Sequence, residues 1–268
     1  MKAVVLAAGL GTRMRRADPR ARLSAVQASA ADRGAKAMVP VGSRPFLDFV
    51  LSGLADGGAD EVCLVVGPEP NEVRAHYAAS PPERVRLSHA VQREPRGTAD
   101  ALLAAEAFAA GEDFLALNAD NLYPLSAYRM LLGLGEPGLP VFEREELLAR
   151  SNFPRDRVER YAVLAVGGDG YLERIIEKPG SAELGGAPGE VLLSMNLWRF
   201  PASIFEACRR VPISVRGEYE LPQAVGHGIA QMGLRLRASR SREAVLDLST
   251  RADVAEVERR LRGIEARP

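Results

Sequence analysis

Two glycines directly after an apolar segment are the first residues of this chain that could do chemistry. Residues 2–7 are mostly apolar and β-branched, which is typical of a buried strand, and they lead into Gly9 and Gly11. Glycines at this point let a backbone approach a phosphate chain closely, with its N–H groups turned towards the oxygens. Arg13 adds a planar set of donors for phosphate oxygens. The pattern predicts a polyphosphate site, although a plain strand-to-helix turn would have the same sequence.

Two familiar phosphate-binding patterns are excluded. A dinucleotide fingerprint would need a third glycine at position 14, which is Met14. The chain also lacks a Gly-x-x-x-x-Gly-Lys-Ser/Thr segment. If the glycine loop binds phosphate, it therefore belongs to neither of these two classes of site.

Polar residues also follow two later apolar segments. Gln92 comes after the predicted strand 85–91, and its amide could both donate to and accept from the edge of a base. Gly97 then permits close backbone approach, and Thr98 begins a helix. Asp120 lies in an acidic turn after the predicted strand 114–117, where a helix-capping role is the simple alternative.

The elements that must position these residues alternate between strands and helices. In the first half we predict a helix over 46–54, a strand over 61–66 and a helix over 99–109. Such alternation is typical of an α/β fold with a mostly parallel sheet covered on both faces. Ligands bind at the carboxyl ends of the strands in these sheets, where the glycine loop and the acidic turn both lie.

The second half is richer in strands. Residues 161–166 and 171–176 flank a Gly-Gly-Asp-Gly turn and predict a hairpin. Thr250 opens a capping box for a terminal helix through Leu261. The remaining predicted segments are a long apolar stretch at 191–200, helices at 204–210 and 221–232, a short strand at 245–248, and surface loops at 133–140 and 180–189.

Composition excludes several classes of protein. The chain has 268 residues with 35 basic and 35 acidic side chains, so no overall field favours nucleic acid or an anionic membrane. Cys63 and Cys208 are too far apart for metal-ligand spacing and form no disulfide framework; Cys63 is read as a small core hydrophobe. We see no signal segment and no membrane-spanning stretch, and expect a cytoplasmic protein.

Leu-Ala-Ala-Gly-Leu-Gly-Thr-Arg, followed by Lys36 before Met-Val-Pro-Val, resembles the signature of the sugar-1-phosphate nucleotidyltransferases. This is the family of glucose-1-phosphate thymidylyltransferase and N-acetylglucosamine-1-phosphate uridylyltransferase. The resemblance implies a Rossmann-like three-layer α/β/α fold, with a mixed, mostly parallel central sheet and a smaller β-rich sugar-binding lobe. It implies one domain over 1–268, with a nucleotide half (about 1–120), a sugar half (about 121–248) and a C-terminal helix (249–268).

The resemblance also implies a role for individual residues. Arg13, Lys36, Asp120 and Lys178 would be catalytic, and Asp120 with Asp247 would bind Mg²⁺, Asp247 being the first residue of an Asp-x-x-Thr-x-x-Asp element. Asp253, its last residue, is read only as a helix-terminus residue. The nucleotide-binding residues would be Leu6, Ala7, Ala8, Gly9, Gly11, Thr12, Gln92, Gly97 and Thr98. The sugar-phosphate-binding residues would be Asn121, Ala162, Glu177, Lys178 and Asn196.

Some positions depart from the family pattern. Ala119, Ala162 and Asn196 lie where the family usually has glycine. Tyr219, in a segment that resembles a helix start of the uridylyltransferases, is read as a structural anchor.

The segment between Arg13 and Lys36 is also longer than the family usually has, with 22 residues. A capping box at Ser24 and a glycine at Gly34 predict a helix over 25–33. The insertion is either a solvated basic loop, which we favour, or a lid over the triphosphate. The arginines that could add phosphate contacts are Arg15, Arg16, Arg20 and Arg22.

The function implied is condensation of a nucleoside triphosphate, with UTP or dTTP favoured, and a sugar 1-phosphate to give a nucleotide-sugar and pyrophosphate. A cytidylyl- or guanylyltransferase for another sugar or polyol phosphate stays open. So does a catalytically silent regulatory subunit, although that alternative predicts loss of the phosphate and metal residues. We expect no nucleic-acid or membrane partner, and a homo-oligomer is left open.

Overall fold

A computed structural model describes residues 1–177, 179–180, 184–185 and 190–268. The strands are β1 (Lys2–Leu6), β2 (Pro40–Val41), β3 (Arg44–Pro45), β4 (Glu61–Val66), β5 (Arg86–Val91), β6 (Phe114–Asn118), β7 (Asn121–Leu122), β8 (Gly138–Glu143), β9 (Val163–Val166), β10 (Leu172–Ile176), β11 (Leu192–Leu193), β12 (Trp198–Phe200), β13 (Arg237–Ser241) and β14 (Leu246–Asp247). The helices are α1 (Thr12–Arg15), α2 (Ala25–Arg33), α3 (Phe46–Gly57), α4 (Glu72–Ala79), α5 (Thr98–Leu103), α6 (Glu106–Ala109), α7 (Leu125–Gly133), α8 (Arg144–Arg150), α9 (Arg155–Val158), α10 (Ile204–Arg210), α11 (Leu221–Met232) and α12 (Arg251–Leu261), with a 3₁₀ helix at Lys36–Met38.

One mixed sheet crosses both halves of the chain. Its order is β10-β9-β11-β8-β12-β6-β1-β4-β5, with β13 also pairing with β8. The neighbours β5, β4, β1 and β6 run parallel, and β12 joins antiparallel to β6. Among the described residues, four strand pairings of this sheet are parallel and five antiparallel, so it is more evenly mixed than we predicted.

Helices cover both faces of the sheet, which confirms the three-layer α/β/α fold. Side chains alternate along a strand, and Ala3 and Val5 of β1 accordingly pack into one apolar cluster while Val4 packs into the other. The first cluster includes buried residues of α3, α7 and α12, and the second includes those of α5, α10 and α11. All three β1 residues are fully buried, as a central strand covered on both faces requires.

Two predictions about local structure are wrong. Residues 133–140 are not a surface loop throughout, because β8 begins at Gly138 and is buried along its whole length. A Cβ at Gly138 would lie 2.5 Å from the carbonyl oxygen of Arg237, so glycine is needed for the close pairing of β8 with β13. The helix predicted over 99–109 is broken between Leu103 and Glu106, and the surrounding alanines carry no sequence signal for that break.

The other predicted elements are present with small changes at their ends. The apolar stretch 191–200 forms β11 and β12, separated by a bend at residues 194–197. Helix α2 has the predicted bounds, the capping box between Ser24 and Gln27, and a left-handed Gly34 at its end. Of the predicted loop 180–189, residues 181–183 and 186–189 lie outside the described residues. Across the described part of the chain, the helices are too short or too polar to span a bilayer.

Candidate active site

A cavity of about 390 Å³ opens at the carboxyl ends of β1 and β6. This is the edge at which parallel sheets bind ligands, because the loops that follow adjacent strands meet there. The insertion contributes Gly34 and Ala35 to its wall, and the segment before α11 contributes Glu218. The predicted site residues that line it are Leu6, Ala7, Ala8, Gly9, Thr12, Lys36, Gln92, Gly97, Thr98 and Asp120.

The two glycines of the loop have different surroundings. A Cβ at Gly9 would meet nothing within 4 Å, so the protein itself leaves open space there. Gly11 has a left-handed φ of 62°, and a Cβ there would overlap the carbonyl oxygen of Gly34. Gly11 is therefore required by packing against the insertion, whereas Gly9 faces a cavity that a ligand could fill.

The insertion is docked on the body of the protein. Arg15 donates from Nε and from its terminal nitrogen to the carbonyl of Arg33, at 3.1 and 2.8 Å. Gln27 donates to the carbonyl of Pro40 at 3.0 Å, and Arg251 donates to that of Met14 at 3.0 Å. These contacts fix the insertion as one wall of the cavity and use the Arg15 guanidinium internally. The alternative that this segment is a lid stays a prediction. Deletion of residues 17–33 tests it, because unchanged kinetics for the nucleoside triphosphate would exclude a lid.

Lys36 and Asp120 form an ion pair in the cavity wall. Their side chains are 18% and 16% exposed, so both can still reach a ligand. Burial raises the pKa of the Asp120 carboxyl, but the Lys36 ammonium, with a contribution from Arg13, holds it below its usual value. Asp120 is therefore an anion at neutral pH, as a metal ligand must be.

Asp247 lies next to Asp120, although 127 positions separate them in the chain. β14 pairs with β7, which places Asp247 opposite Asn121, and the N–H of Leu248 donates to the carbonyl of Asp120 at 2.8 Å. The Asn121 amide donates to Asp247 Oδ1 at 3.1 Å. The two candidate metal ligands thus meet at one edge of the sheet, beside the glycine loop.

The Asp247 side chain is 5% exposed and is surrounded by charged groups. Burial, followed by the charges of Asp120 and Asp253, raises its pKa to about 7, against the opposing Arg157 guanidinium. Ser249 donates to Asp247 Oδ1 at 2.9 Å and accepts from Arg13 at 3.2 Å. Arg13 does not line the cavity itself; it joins the Asp247 segment to the helix that follows the glycine loop.

The Gln92 amide is held in one orientation. Gln92 is 6% exposed, and its Nε2 donates to the carbonyl of Gly97 and to Asp100 Oδ2, both at 2.9 Å. A carboxylate and a backbone carbonyl only accept, so Asp100 and Gly97 together fix the nitrogen on their side, and Oε1 is the remaining polar atom of a side chain that lines the cavity. Asp100 was not among the predicted site residues, since an acidic residue in the first turn of a helix is common for other reasons.

The segment after Gln92 is attached to the start of α11. Gly97 has φ 112°, and a Cβ there would lie 2.5 Å from the carbonyl oxygen of Tyr219. The Thr98 hydroxyl accepts from the N–H of Leu221 at 2.8 Å, so it caps α11 and not its own helix. The interpretation of Tyr219 as part of an anchored helix start agrees with these contacts.

Of the predicted sugar-side residues, the four that the structure describes, Asn121, Ala162, Glu177 and Asn196, do not line the 390 Å³ cavity. Ala162 is buried, and its carbonyl accepts from the N–H of Ser194 at 3.0 Å. Asn196 has a left-handed φ of 57°. Glu177 lines a separate cavity of about 570 Å³ between β10 and α11, and Lys178 lies outside the described residues.

Comparison with known proteins identifies the family. The nucleotidyl transferase family pattern matches residues 2–232. The chain belongs to the nucleotidyl transferase family. It is 31% identical over 272 aligned residues, covering 97% of this chain and 96% of the relative, to a protein named UTP–glucose-1-phosphate uridylyltransferase AglF from Haloferax volcanii. A glucose-1-phosphate thymidylyltransferase from Streptomyces griseus is 28% identical over 84% of this chain and 56% of its own length.

Solved structures show the same fold. A UTP-bound UGPase from Acinetobacter baumannii superposes with a TM-score of 0.70, covering 99% of this chain and 95% of that one at 20% identity. The nucleotidyl transferase membership and the α/β fold expected from the motifs are therefore confirmed, and the chain is an enzyme of this class.

The candidate metal ligands are oxygen donors, which suit a hard divalent cation. Asp120 lines the cavity, whereas Asp247 lies behind it on the paired strand, where the Asp120 charge still acts on its carboxyl. Mg²⁺ uses one or two carboxylates together with substrate phosphates. The described residues contain no group of three or more His, Cys, Asp or Glu side chains that could hold a metal alone. The donor set therefore fits a metal that is completed by its substrates.

Sequence reasoning missed Arg157, which contacts Asp247. Its Nη1 lies 2.5 Å from Asp247 Oδ2 and 3.0 Å from both oxygens of Asp253. Arg155 and Arg160 flank it in an arginine-rich segment, and nothing in that segment marks the one that turns inward. Asp253 completes the predicted capping box with Thr250 and has this second partner as well.

Proposed function

We propose that this enzyme transfers a uridylyl or thymidylyl group to a sugar 1-phosphate, forming a nucleotide-sugar and pyrophosphate. The observation that supports this most directly is the pairing of β7 with β14, which brings Asp120 and Asp247 together beside a glycine-lined cavity. A phosphoryl-type transfer needs that combination of backbone N–H groups, fixed cations and a metal-binding carboxylate pair.

The reaction proceeds by in-line displacement. A phosphate oxygen of the sugar 1-phosphate attacks the α-phosphorus of the triphosphate and forms a new P–O bond. The bond between the α-phosphorus and the oxygen that bridges to the β-phosphate breaks, and its electron pair leaves with pyrophosphate. The attacking oxygen is already anionic, so no protein nucleophile or general base is needed, and catalysis consists of positioning and charge neutralisation.

The chain's own residues divide this work. The open space at Gly9 admits the phosphates, and Lys36, in the cavity wall, neutralises charge on the departing pyrophosphate. Arg13 contributes positive charge from its position beside Ser249. Asp120 and Asp247 would hold Mg²⁺, which would neutralise negative charge on the substrate phosphates. The assignment of Lys178 to the incoming sugar phosphate remains part of this proposal.

The fixed amide of Gln92 favours a uracil or thymine base. Both of its N–H groups are used inside the protein, so Oε1 can only accept a hydrogen bond. Uracil and thymine carry an N–H donor at N3, whereas cytosine has an acceptor at that position. If N3 of the base lies against Oε1, UTP or dTTP donates a hydrogen bond to it, whereas CTP places two acceptors against each other, which disfavours its binding.

Measurement of pyrophosphate release with five nucleoside triphosphates and a panel of sugar phosphates tests the reaction. Glucose 1-phosphate is the first acceptor to try, because the Haloferax volcanii relative is named for it. We expect release only when UTP or dTTP is combined with a sugar 1-phosphate. Release with CTP or GTP alone among the triphosphates, or no release with any pair, would contradict the proposal.

The metal assignment predicts a large effect at Asp120. Asp120→Asn should lower kcat by about 100-fold or more, since a charge-neutralising group in phosphoryl transfer contributes several kcal/mol. Asp56→Asn is a matched control, because Asp56 forms an exposed ion pair with Arg84 and neither residue lines the cavity. A full-rate Asp120→Asn enzyme would contradict the metal assignment.

Glu177→Ala should instead raise KM for the sugar phosphate with a smaller change in kcat.

Asp100→Asn tests the base assignment separately. An Asn side chain can donate as well as accept, so it removes one of the two acceptors that fix the Gln92 amide and leaves only the Gly97 carbonyl to hold Nε2 away from the cavity. The energetic preference for the orientation with Oε1 free therefore falls by about one hydrogen bond. We expect the ratio of kcat/KM for UTP to that for CTP to fall by about tenfold, the size of one hydrogen bond. An unchanged ratio in a folded, active variant would show that Asp100 does not control base choice.

A further inference from the structure

Arg157 is a cation held between two aspartates. Its Nη1 contacts Asp247 Oδ2 at 2.5 Å and both Asp253 oxygens at 3.0 Å, while Nη2 lies 3.4 Å from Thr250 Oγ1. The Arg157 side chain is 13% exposed, and each aspartate side chain is 5% exposed. A guanidinium in such surroundings cannot lose all its carboxylate partners without a large desolvation cost.

The Asp247 carboxylate already has partners on both oxygens. Oδ1 accepts from Asn121 at 3.1 Å and from Ser249 at 2.9 Å, and Oδ2 is taken by Arg157. The neighbouring Asp120 is paired with Lys36. Each candidate metal ligand therefore has a protein cation on it, and a divalent ion that uses Asp247 has to compete with Arg157 for Oδ2.

We propose that Arg157 is an internal counterion. It forms an ion pair with Asp247 before the metal binds, and it pairs with Asp253 alone once the metal has bound. The inference rests on the proposed function, because it takes Asp247 as a metal ligand. It makes Arg157 a positioning residue, which holds the Asp247 carboxylate only while no metal is bound, and makes Asp253 the acceptor for Arg157 after release.

The contacts of Asp253 support this exchange. Arg157 already has both Asp253 oxygens within reach, so release of Asp247 leaves it paired and avoids an isolated buried charge. Asp253 is itself fixed by the N–H groups of Ser249 and Thr250, at 3.1 and 2.7 Å from Oδ2. The acceptor therefore stays in position while the Asp247 oxygen turns to the metal.

A purely structural clamp at the start of α12 is the alternative, and a double-mutant cycle separates the two. The variants are Asp253→Asn, Arg157→Gln and the double variant. Asparagine keeps an oxygen that can cap α12 but loses the charge that would hold Arg157. Glutamine keeps donors at position 157 without the positive charge. If Arg157→Gln does not fold, Arg157→Met, of similar length, takes its place.

The readout is Mn²⁺ binding to the substrate-free enzyme, measured from the electron paramagnetic resonance signal of the free ion. The measurement is made at about pH 8.5, above the usual carboxyl range, so that protons compete little for Asp247. We expect Asp253→Asn to weaken Mn²⁺ binding by about fivefold or more, because Arg157 then keeps hold of Asp247. In the Arg157→Gln background the same change should alter affinity by less than about twofold, and Arg157→Gln alone should bind at least as tightly as the wild type.

Other outcomes overturn the inference. An equal loss from Asp253→Asn in both backgrounds would show simple long-range attraction by the Asp253 charge. No loss in either background, or weaker binding by Arg157→Gln, would show that Arg157 does not compete with the metal. Asp247→Asn tests the underlying site separately: undiminished Mn²⁺ binding by that variant would defeat the proposed metal site itself. If Asp247→Asn abolishes binding while the cycle is additive, only the counterion role fails.

Discussion

Left-handed backbone positions beside the cavity differ from the one at Asn196, between β11 and β12. Gly11 and Gly97 have φ angles of 62° and 112°, and a Cβ at either would collide with another backbone segment. Asn196 has φ 57° and carries a full side chain. Glycine is thus required where two backbones touch, and it can be replaced where only the backbone angle is demanding, because Asn tolerates that angle better than most residues.

The same comparison explains two other departures from the family pattern. Ala119 and Ala162 are buried, and their φ angles are negative, so neither needs glycine for conformational reasons. The N–H of Ala119 donates to the carbonyl of Leu6 at 3.1 Å, which keeps the acidic turn against β1 without a glycine. The alanines at positions 119 and 162 are therefore no evidence that the chain has lost activity.

The largest expected effect is at Gly11. Gly11→Ala should lower the free energy of unfolding by about 3 kcal/mol or more, since it adds left-handed strain to an overlap with Gly34. Gly42→Ala is the matched control: Gly42 has the same φ of 62°, but nothing lies within 4 Å of its Cβ position. We expect about 1 kcal/mol there, from the angle alone. Equal losses in urea unfolding of the two variants would contradict the packing argument.

A change at Gly9 should separate binding from stability. Gly9→Ala meets no protein atom, so we expect its unfolding free energy to stay within about 1 kcal/mol of the wild type. Its added methyl group projects into the cavity, and KM for the triphosphate should rise by about tenfold, the equivalent of 1.4 kcal/mol. The measurement is steady-state kinetics at saturating sugar phosphate. An unchanged KM for the triphosphate would show that its phosphates do not bind on this side of the cavity.

Asn196 should tolerate glycine better than alanine. Asn196→Ala should cost about 1 kcal/mol, because alanine is strained at this angle, whereas Asn196→Gly should be near neutral in stability. Asn196 Oδ1 is buried and lacks a hydrogen-bond partner among the described residues, so its removal carries little loss.

A contact from Asn196 to the sugar would appear in the kinetics of the glycine variant. In that case, Asn196→Gly raises KM for the sugar phosphate while thermal melting is unchanged. Loss of stability in the glycine variant equal to that in the alanine variant would refute the conformational argument.

The smallest effect is expected at Ala119. Restoring the family glycine with Ala119→Gly should destabilise the protein by about 0.5 kcal/mol through the flexibility that glycine adds to the unfolded chain. It should leave kcat unchanged within about twofold, because the ordinary φ of Ala119 already permits the turn. A large gain in kcat would show that the alanine restricts the site.

Much of this molecule could be predicted from local sequence. The strand-glycine pattern of β1, the capping box of α2 and the capping box of α12 each depend on residues only a few positions apart, and all three are present. The element β8 was missed because Pro and Gly normally indicate a loop. Its strand geometry depends on pairing with β13, nearly a hundred residues later.

The sequence by itself determined the family, the glycine loop and the identities of two aspartates far apart in the chain, because each is written in residue types and spacing. Only the tertiary structure decided that β7 and β14 pair, that Arg157 turns inward onto Asp247, and that Asp100 orients Gln92. These outcomes depend on which distant segments pack together and on which charges are buried between them. Long-range packing of that kind leaves no periodic or local signal in the chain.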